Sequence, residues 1–199
     1  MKDRVVLRRL GGRVGVGVLA VAVIILLGWE AASYPWQKWW REPALPVLLV
    51  TACWLLWASS RAELTRERLR IVNAWLIHDV AWQDVRGCSR RFGLRIHMPH
   101  KDIAVSACPT PSALWIGLGP RPTRIGEAAP SYRDYEADPL RLSADPAQGA
   151  RVIEDYRDDV LAAGPRDNSA TTGVVTRPNV RTIGVVAVVA CYVALTVLI

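Results

Sequence analysis

Hydrophobic and polar positions are distributed along this chain in two ways. Three stretches carry no charge inside them: Val14 to Trp29, "VGVGVLAVAVIILLGW"; Pro43 to Ser60, containing "LPVLLVTACWLLWASS"; and Thr182 to Ile199, "TIGVVAVVACYVALTVLI". A spanning helix needs about 20 apolar residues, with about 17 as a lower limit. The pattern predicts three transmembrane helices, at 14–29, 43–60 and 182–199. Arg13 extends the first, because its long side chain can reach back to an interface. A short loop, 30–42, joins the first two.

Between the second and third blocks the period changes to two. Leu69 and Ile71 share one strand face, with Arg70 and Val72 on the other. Asn73-Ala74 reads as a turn, after which Val80 and Trp82 share a face. "WQDV" is a corner. In "GLRIHMPHKDIAVSAC", Leu94, Ile96 and Met98 alternate with Arg95 and His97, and Ile103 and Val105 resume after "PHKD". Alternation broken by turn residues predicts antiparallel strands with one buried face.

From Trp115 to Leu142 the prolines Pro120, Pro122, Pro130 and Pro139 and the glycines Gly117, Gly119 and Gly126 interrupt any period. That segment is expected to be a Pro-rich insertion, with one strand at "ALWIGLG" and surface loop elsewhere. A helix is expected at 146–163. Asp145 suits the N-cap and Pro146 the first helical position. Val152, Ile153, Tyr156 and Val160 make an apolar stripe, Glu154, Asp155, Asp158 and Asp159 face water, and Gly164-Pro165 ends the helix. Residues 1–13 read as a basic tail and 165–181 as a linker.

The stretch "ELTRERLRIVNAWLIHDVAWQDVRG" resembles bacterial pleckstrin-homology-like domains, in particular the actinobacterial membrane proteins related to the low-molecular-weight protein antigen domain. The shared features are a Leu-x-Ile strand, Asn73 at the turn, a returning strand ending in Val80-Ala81-Trp82, and Asp84-Val85. The resemblance covers 62–164. It implies an α+β domain, an antiparallel sheet or partly open barrel closed by a C-terminal helix, and it supplies structural positions in place of catalytic ones.

Composition and charge refine this picture. Nine Trp stand against one Phe, and Trp29, Trp36, Trp39, Trp40 and Trp57 lie at the ends of apolar blocks, where indoles favour a membrane interface. Lys2, Arg4, Arg8, Arg9 and Arg13 precede the first block; Arg61, Arg66, Arg68 and Arg70 follow the second; Arg177 and Arg181 precede the third; the intervening loop holds only Lys38 and Arg41. The positive-inside rule then places the N-terminus and the middle domain in the cytoplasm and the C-terminus at the outer face of a plasma membrane. A cleaved signal peptide is the competing explanation of the first block, but "GWEAASYP" is a poor cleavage context. Cys88 and Cys108 have no CxxC spacing and are expected as free thiols.

The sequence holds no HExxH, GxSxG or P-loop motif. "GLGPRPTRIG" places prolines where phosphate-binding amides would be needed. His78, His97 and His100 with Cys88 and Cys108 have the right types for zinc but no recognised spacing, so no metal or cofactor is expected. Residues 61–109 carry nine basic and five acidic groups, whereas 127–159 carry nine acidic and four basic. Arg86, Arg90, Arg91 and Arg95 are therefore the candidate contacts to lipid or a partner. Gly184, Ala187, Cys191 and Ala194 share a helix face suited to helix–helix packing, within the chain or in a homo-oligomer. Nucleic acid is not expected, since the basic charge clusters beside the apolar blocks. The expected function is non-enzymatic: a cytoplasmic pleckstrin-homology-like module that scaffolds proteins at the bilayer. Anionic headgroup binding is the alternative, and a small membrane enzyme the second alternative.

Overall fold

The computed structural model describes residues 2–33, 43–91, 93–108, 129–137, 139–164 and 173–198. In chain order these hold β1 (Arg4–Arg8), α1 (Leu10–Ser33), α2 (Ala44–Trp57), β2 (Arg61–Thr65), β3 (Leu69–Val72), β4 (Leu76–Val80), a 3-10 turn (Trp82–Asp84), β5 (Gly87–Ser89), β6 (Arg95–His97) and β7 (Asp102–Ala104). A second 3-10 turn (Tyr132–Asp134), β8 (Leu140–Leu142), α3 (Pro146–Ala163), β9 (Val174–Pro178) and α4 (Val180–Leu198) follow.

Six strands form one sheet in the order β8-β1-β2-β3-β4-β9, and β5-β6-β7 form a second. All pairs are antiparallel except β1 with β8. Side chains alternate across the large sheet. Val5, Leu7, Ala62, Leu64, Leu69, Ile71 and Val80 point inward and are buried with Ile96, Ile103, Leu140, Val152, Ile153 and Tyr156 in one core. The outward face carries Arg4, Arg8, Arg61, Glu63, Arg70, Asp79 and Arg177. The small sheet and α3 close the inward face. Asp145 caps α3 through its carboxylate, which accepts from the Gln148 amide at 2.7 Å. Gly149 lies where a Cβ would sit 2.8 Å from the Cys108 sulfur and 3.0 Å from Leu94, so only glycine lets the helix approach this closely.

Three expectations are corrected here. First, among the described residues two helices, not three, are long and apolar enough to cross a membrane: Gly11–Ser33 and Val180–Leu198. The 43–60 block forms a helix of only 14 residues, because Pro43 precedes it and the chain leaves helical structure after Trp57 to enter β2. At 1.5 Å per residue α2 is about 21 Å long, against about 30 Å of hydrocarbon. The apolar windows of the two long helices are only 6% and 11% buried, so they are not core helices of the domain. Second, the pleckstrin-homology-like fold gives way to an α+β arrangement that, among the described residues, has four α-helices and two sheets, the larger one mixed and six-stranded. Two of its strands come from outside 62–164: the "basic tail" supplies β1 and the "linker" supplies β9. Val5, Val6 and Leu7 are too short an apolar run to announce a strand, but β1 sits between β8 and β2 and is buried on both faces. Third, the end of the expected insertion is packed. Tyr132 is buried, and Leu140 and Leu142 enter the core. The "ALWIGLG" strand and the "GLGPRPTRIG" segment lie outside the described residues.

α2 packs on both α1 and α4. α1 meets α2 closely at Gly12, where a Cβ would come within 2.5 Å of the Trp57 carbonyl oxygen. A small residue at such a crossing lets the backbones approach.

Candidate functional site

β1 runs into α1 with only Arg9 between them. α2 ends three residues before β2 begins, and β9 runs into α4 through Asn179. The registers Arg8↔Arg61, Arg61↔Val72, Val72↔Ile77 and Leu76↔Pro178 put all three junctions at the same end of the large sheet. The sheet therefore has one helix-bearing edge, and the tip of the β3–β4 hairpin lies on it.

Two asparagines fix that tip. Asn73 donates through Nδ2 to the Ala104 carbonyl at 2.8 Å and accepts from the Ser106 amide at 3.2 Å, tying the tip to the small sheet. Asn179 is buried. Its backbone amide donates to the Trp75 carbonyl at 2.8 Å and its Nδ2 to the Asn73 carbonyl at 3.1 Å, while its Oδ1 accepts from the Thr182 amide at 3.4 Å. It thus caps α4 and grips the hairpin together. Held in this way, Trp75 and Leu76 remain 53% and 43% exposed. The two are adjacent in sequence, so the fixed turn presents apolar surface at the helix-bearing edge.

The outward face is organised by two buried carboxylates, each shared by two arginines. Glu63 pairs with Arg4 at 2.8 Å and Arg61 at 2.6 Å; Asp79 pairs with Arg177 at 2.6 Å and Arg70 at 3.5 Å. His78 points to the opposite face, where its Nδ1 meets Thr176 Oγ1 at 2.9 Å. Burial, followed by Lys101, lowers its pKa, which leaves the ring neutral. His78 and Asp79 therefore make no acid–base pair. Among the described residues no group of three His, Cys, Asp or Glu could hold a metal.

The structure separates the arginines expected from the sequence. Arg95 is exposed and pairs with Ala104, whose carbonyl Asn73 holds, so it lies toward the helix-bearing edge. Arg90 and Arg91 follow Ser89, the partner of Arg95 in register, and are also exposed. Arg86 lies at the other end of the small sheet, its amide donating to the His97 carbonyl. A second arginine group has no signature in the sequence: Arg8, Arg13, Arg61 and Arg141. They belong to separate segments, and only the β1–β2 and β1–β8 pairings bring them together, so no spacing could have announced them. On α4, Gly184, Ala187, Cys191 and Ala194 are all exposed, whereas Thr182 and Thr196 are buried. The small-residue face is turned away from the packing within the chain.

Cys88 and Cys108 are free thiols near each other, both pushed up to about 12. Burial is the main cause for each, reinforced by Glu154 at Cys88 and by Asp145 at Cys108. The thiolate is the reactive form. Both are therefore expected to resist iodoacetamide at pH 8 in the folded protein and to react after denaturation, as read by peptide mass mapping. Rapid modification of Cys108 in the folded protein would contradict the packing described here.

The fold and edge define an α+β domain carried by apolar helices that all leave from one side. No protein-family model, curated protein or solved structure matches the chain.

Proposed function

We propose that this is an integral membrane protein, anchored by α1 and α4, that holds its α+β domain on the cytoplasmic surface as a non-enzymatic interaction module. The helix-bearing edge would rest on the headgroups. The observation that carries this is the convergence of three apolar helices on one sheet edge that also bears Trp75, Leu76 and a band of arginines. Indoles favour the interface, and basic residues flanking apolar helices favour the cytoplasmic side. Each Lys or Arg close to an anionic leaflet contributes about 1 kcal/mol. The opposite end is built differently. Tyr156 reaches the Lys2 carbonyl there, and Asp155, Asp158 and Asp159 gather on α3, leaving a surface facing away from the bilayer for a partner protein.

Spin labels test this in nanodiscs of mixed anionic and neutral lipid. Cysteines replace Val188, Trp75 and Asp158 one at a time in a Cys191→Ser background. Oxygen and nickel-complex accessibility should place 188 in hydrocarbon, 75 at the interface and 158 in water. Water at 188 would remove the membrane assignment. Hydrocarbon at 188 with water at 75 would keep the anchor and remove the docked edge. A membrane-impermeant maleimide should label Asp158→Cys in inverted vesicles and spare it in intact cells; the reverse would place the domain outside.

A further inference from the structure

At the corner where β1 meets α1, four arginines come together on the outward side of the sheet. Arg8 and Arg61 face each other across the β1–β2 pair. Arg141 pairs in register with Val6 on the other flank of β1, and so shares the outward face with Arg8. Arg13 leans from the first turns of α1 toward the start of β2, its Nε donating to the Ala58 carbonyl at 3.4 Å.

This grouping is poorly compensated. Among the described residues Glu63 is the carboxylate acting on Arg8, and Arg4 and Arg61 already hold it. Arg8 Nε is buried and has no hydrogen-bond partner among the described residues. Burial holds the Arg8 guanidinium below its ordinary value, and Arg13, Arg61 and Arg141 push the same way as like charges, with Glu63 opposing them. A buried donor without an acceptor and a set of like charges both cost folding free energy. An anion with several acceptor oxygens would remove both costs. Guanidinium forks match the tetrahedral oxygens of phosphate, giving charge-assisted and often bidentate hydrogen bonds.

We propose that Arg8, Arg13, Arg61 and Arg141 form a binding site for a phosphate group, presented either by a lipid headgroup or by the free anion. The arrangement of the arginines sets the ligand chemistry; the supply of that phosphate by a lipid rests on the membrane assignment above.

The test uses the full chain in a neutral maltoside micelle, titrated with inorganic phosphate or with short-chain phosphatidic acid. Short-chain phosphatidylcholine and chloride at matched ionic strength serve as controls. Melting temperature reports saturation, and native mass spectrometry counts bound lipid. Wild type should show a saturable rise in melting temperature. Arg8→Gln with Arg141→Gln should lose roughly tenfold or more in affinity, the scale of a lost charge-assisted hydrogen bond. The Lys versions of both should recover part of the loss, and Arg151→Gln, which removes only the surface pair with Asp155 on α3, should bind as wild type. Response to phosphatidic acid alone would assign a lipid-borne ligand; response to both would include the free anion. The ligand-free double Gln variant should melt no lower than wild type, because mutual repulsion has been relieved. No saturable response to either ligand, or an equal response in the double Gln variant, would overturn the site. So would a lower ligand-free melting temperature, which would assign these arginines to holding the fold. Phosphate binding in the micelle is independent of the spin-label result at 188, so the two proposals fail separately.

Discussion

Replacing Trp82 with alanine is expected to destabilise the α+β domain by about 3–5 kcal/mol, the range for truncating a large buried aromatic. Trp82 is 3% exposed at the corner after β4. Its ring packs on Tyr156 with centroids 5.4 Å apart, and Tyr156 packs in turn on Tyr132 at 5.3 Å. This aromatic row joins the large sheet, α3 and the second 3-10 turn. The indole N–H donates to the Thr65 carbonyl at 2.8 Å, and losing it adds about 1 kcal/mol. Trp82→Phe should retain most of the packing and forfeit the hydrogen bond, falling between wild type and Trp82→Ala. Urea unfolding followed by near-ultraviolet circular dichroism measures all three. A loss below about 1 kcal/mol in Trp82→Ala would mean that the row is not what holds α3 to the sheet.

Asn179→Ala is expected to cost about 2–3 kcal/mol, combining a lost helix cap with a lost hydrogen bond to the hairpin. The effect should be local. Hydrogen exchange in nanodiscs should accelerate together at residues 73–77 and at the first turn of α4, with β1 and β2 unchanged. Asn179→Asp separates the two roles: it retains an acceptor for the Thr182 amide and removes the Nδ2 donor to Asn73. It should loosen the hairpin and leave α4 intact. Faster exchange only in α4 of Asn179→Ala would show that the asparagine caps the helix without governing the Trp75 tip.

What the sequence made legible follows from how locally each element is specified. The α3 helix was readable because Asp145, Pro146 and the Val152–Val160 stripe are consecutive instructions. The β3–β4 hairpin was readable because Leu69, Ile71 and Val80 alternate around Asn73. β1 and β9 were not, since five residues each carry little pattern and their strand character comes from neighbours far along the chain. The apolar 43–60 block misled for a related reason. Hydropathy counts Ala58, Ser59 and Ser60 with the helix, but pairing of Arg61 with Arg8 pulls the chain out of helical structure just after Trp57. The candidate site divides in the same way. Arg90, Arg91 and Arg95 stand close together in sequence, which is why their spacing announces a basic group. Arg8 and Arg141 lie 133 positions apart and meet only through a parallel strand pair.

The placement of β1 also constrains how the protein is made. β1 emerges from the ribosome before α1, yet its partners β2 and β8 appear only after α1 and α2 have been synthesised, and the far edge waits for β9, just before α4. If α1 and α4 insert in a membrane as proposed, the large sheet is completed around that insertion and not ahead of it. A fragment spanning 62–164 would lack both β1 and β9, leaving β2 and β4 as open edges and β8 without its neighbour. Unpaired strand edges of this kind recruit other chains. Biosynthetic order makes the helices and the domain a single folding problem, and on the proposed membrane assignment any arrest that delays α1 in the insertion machinery should show itself as aggregation of the domain.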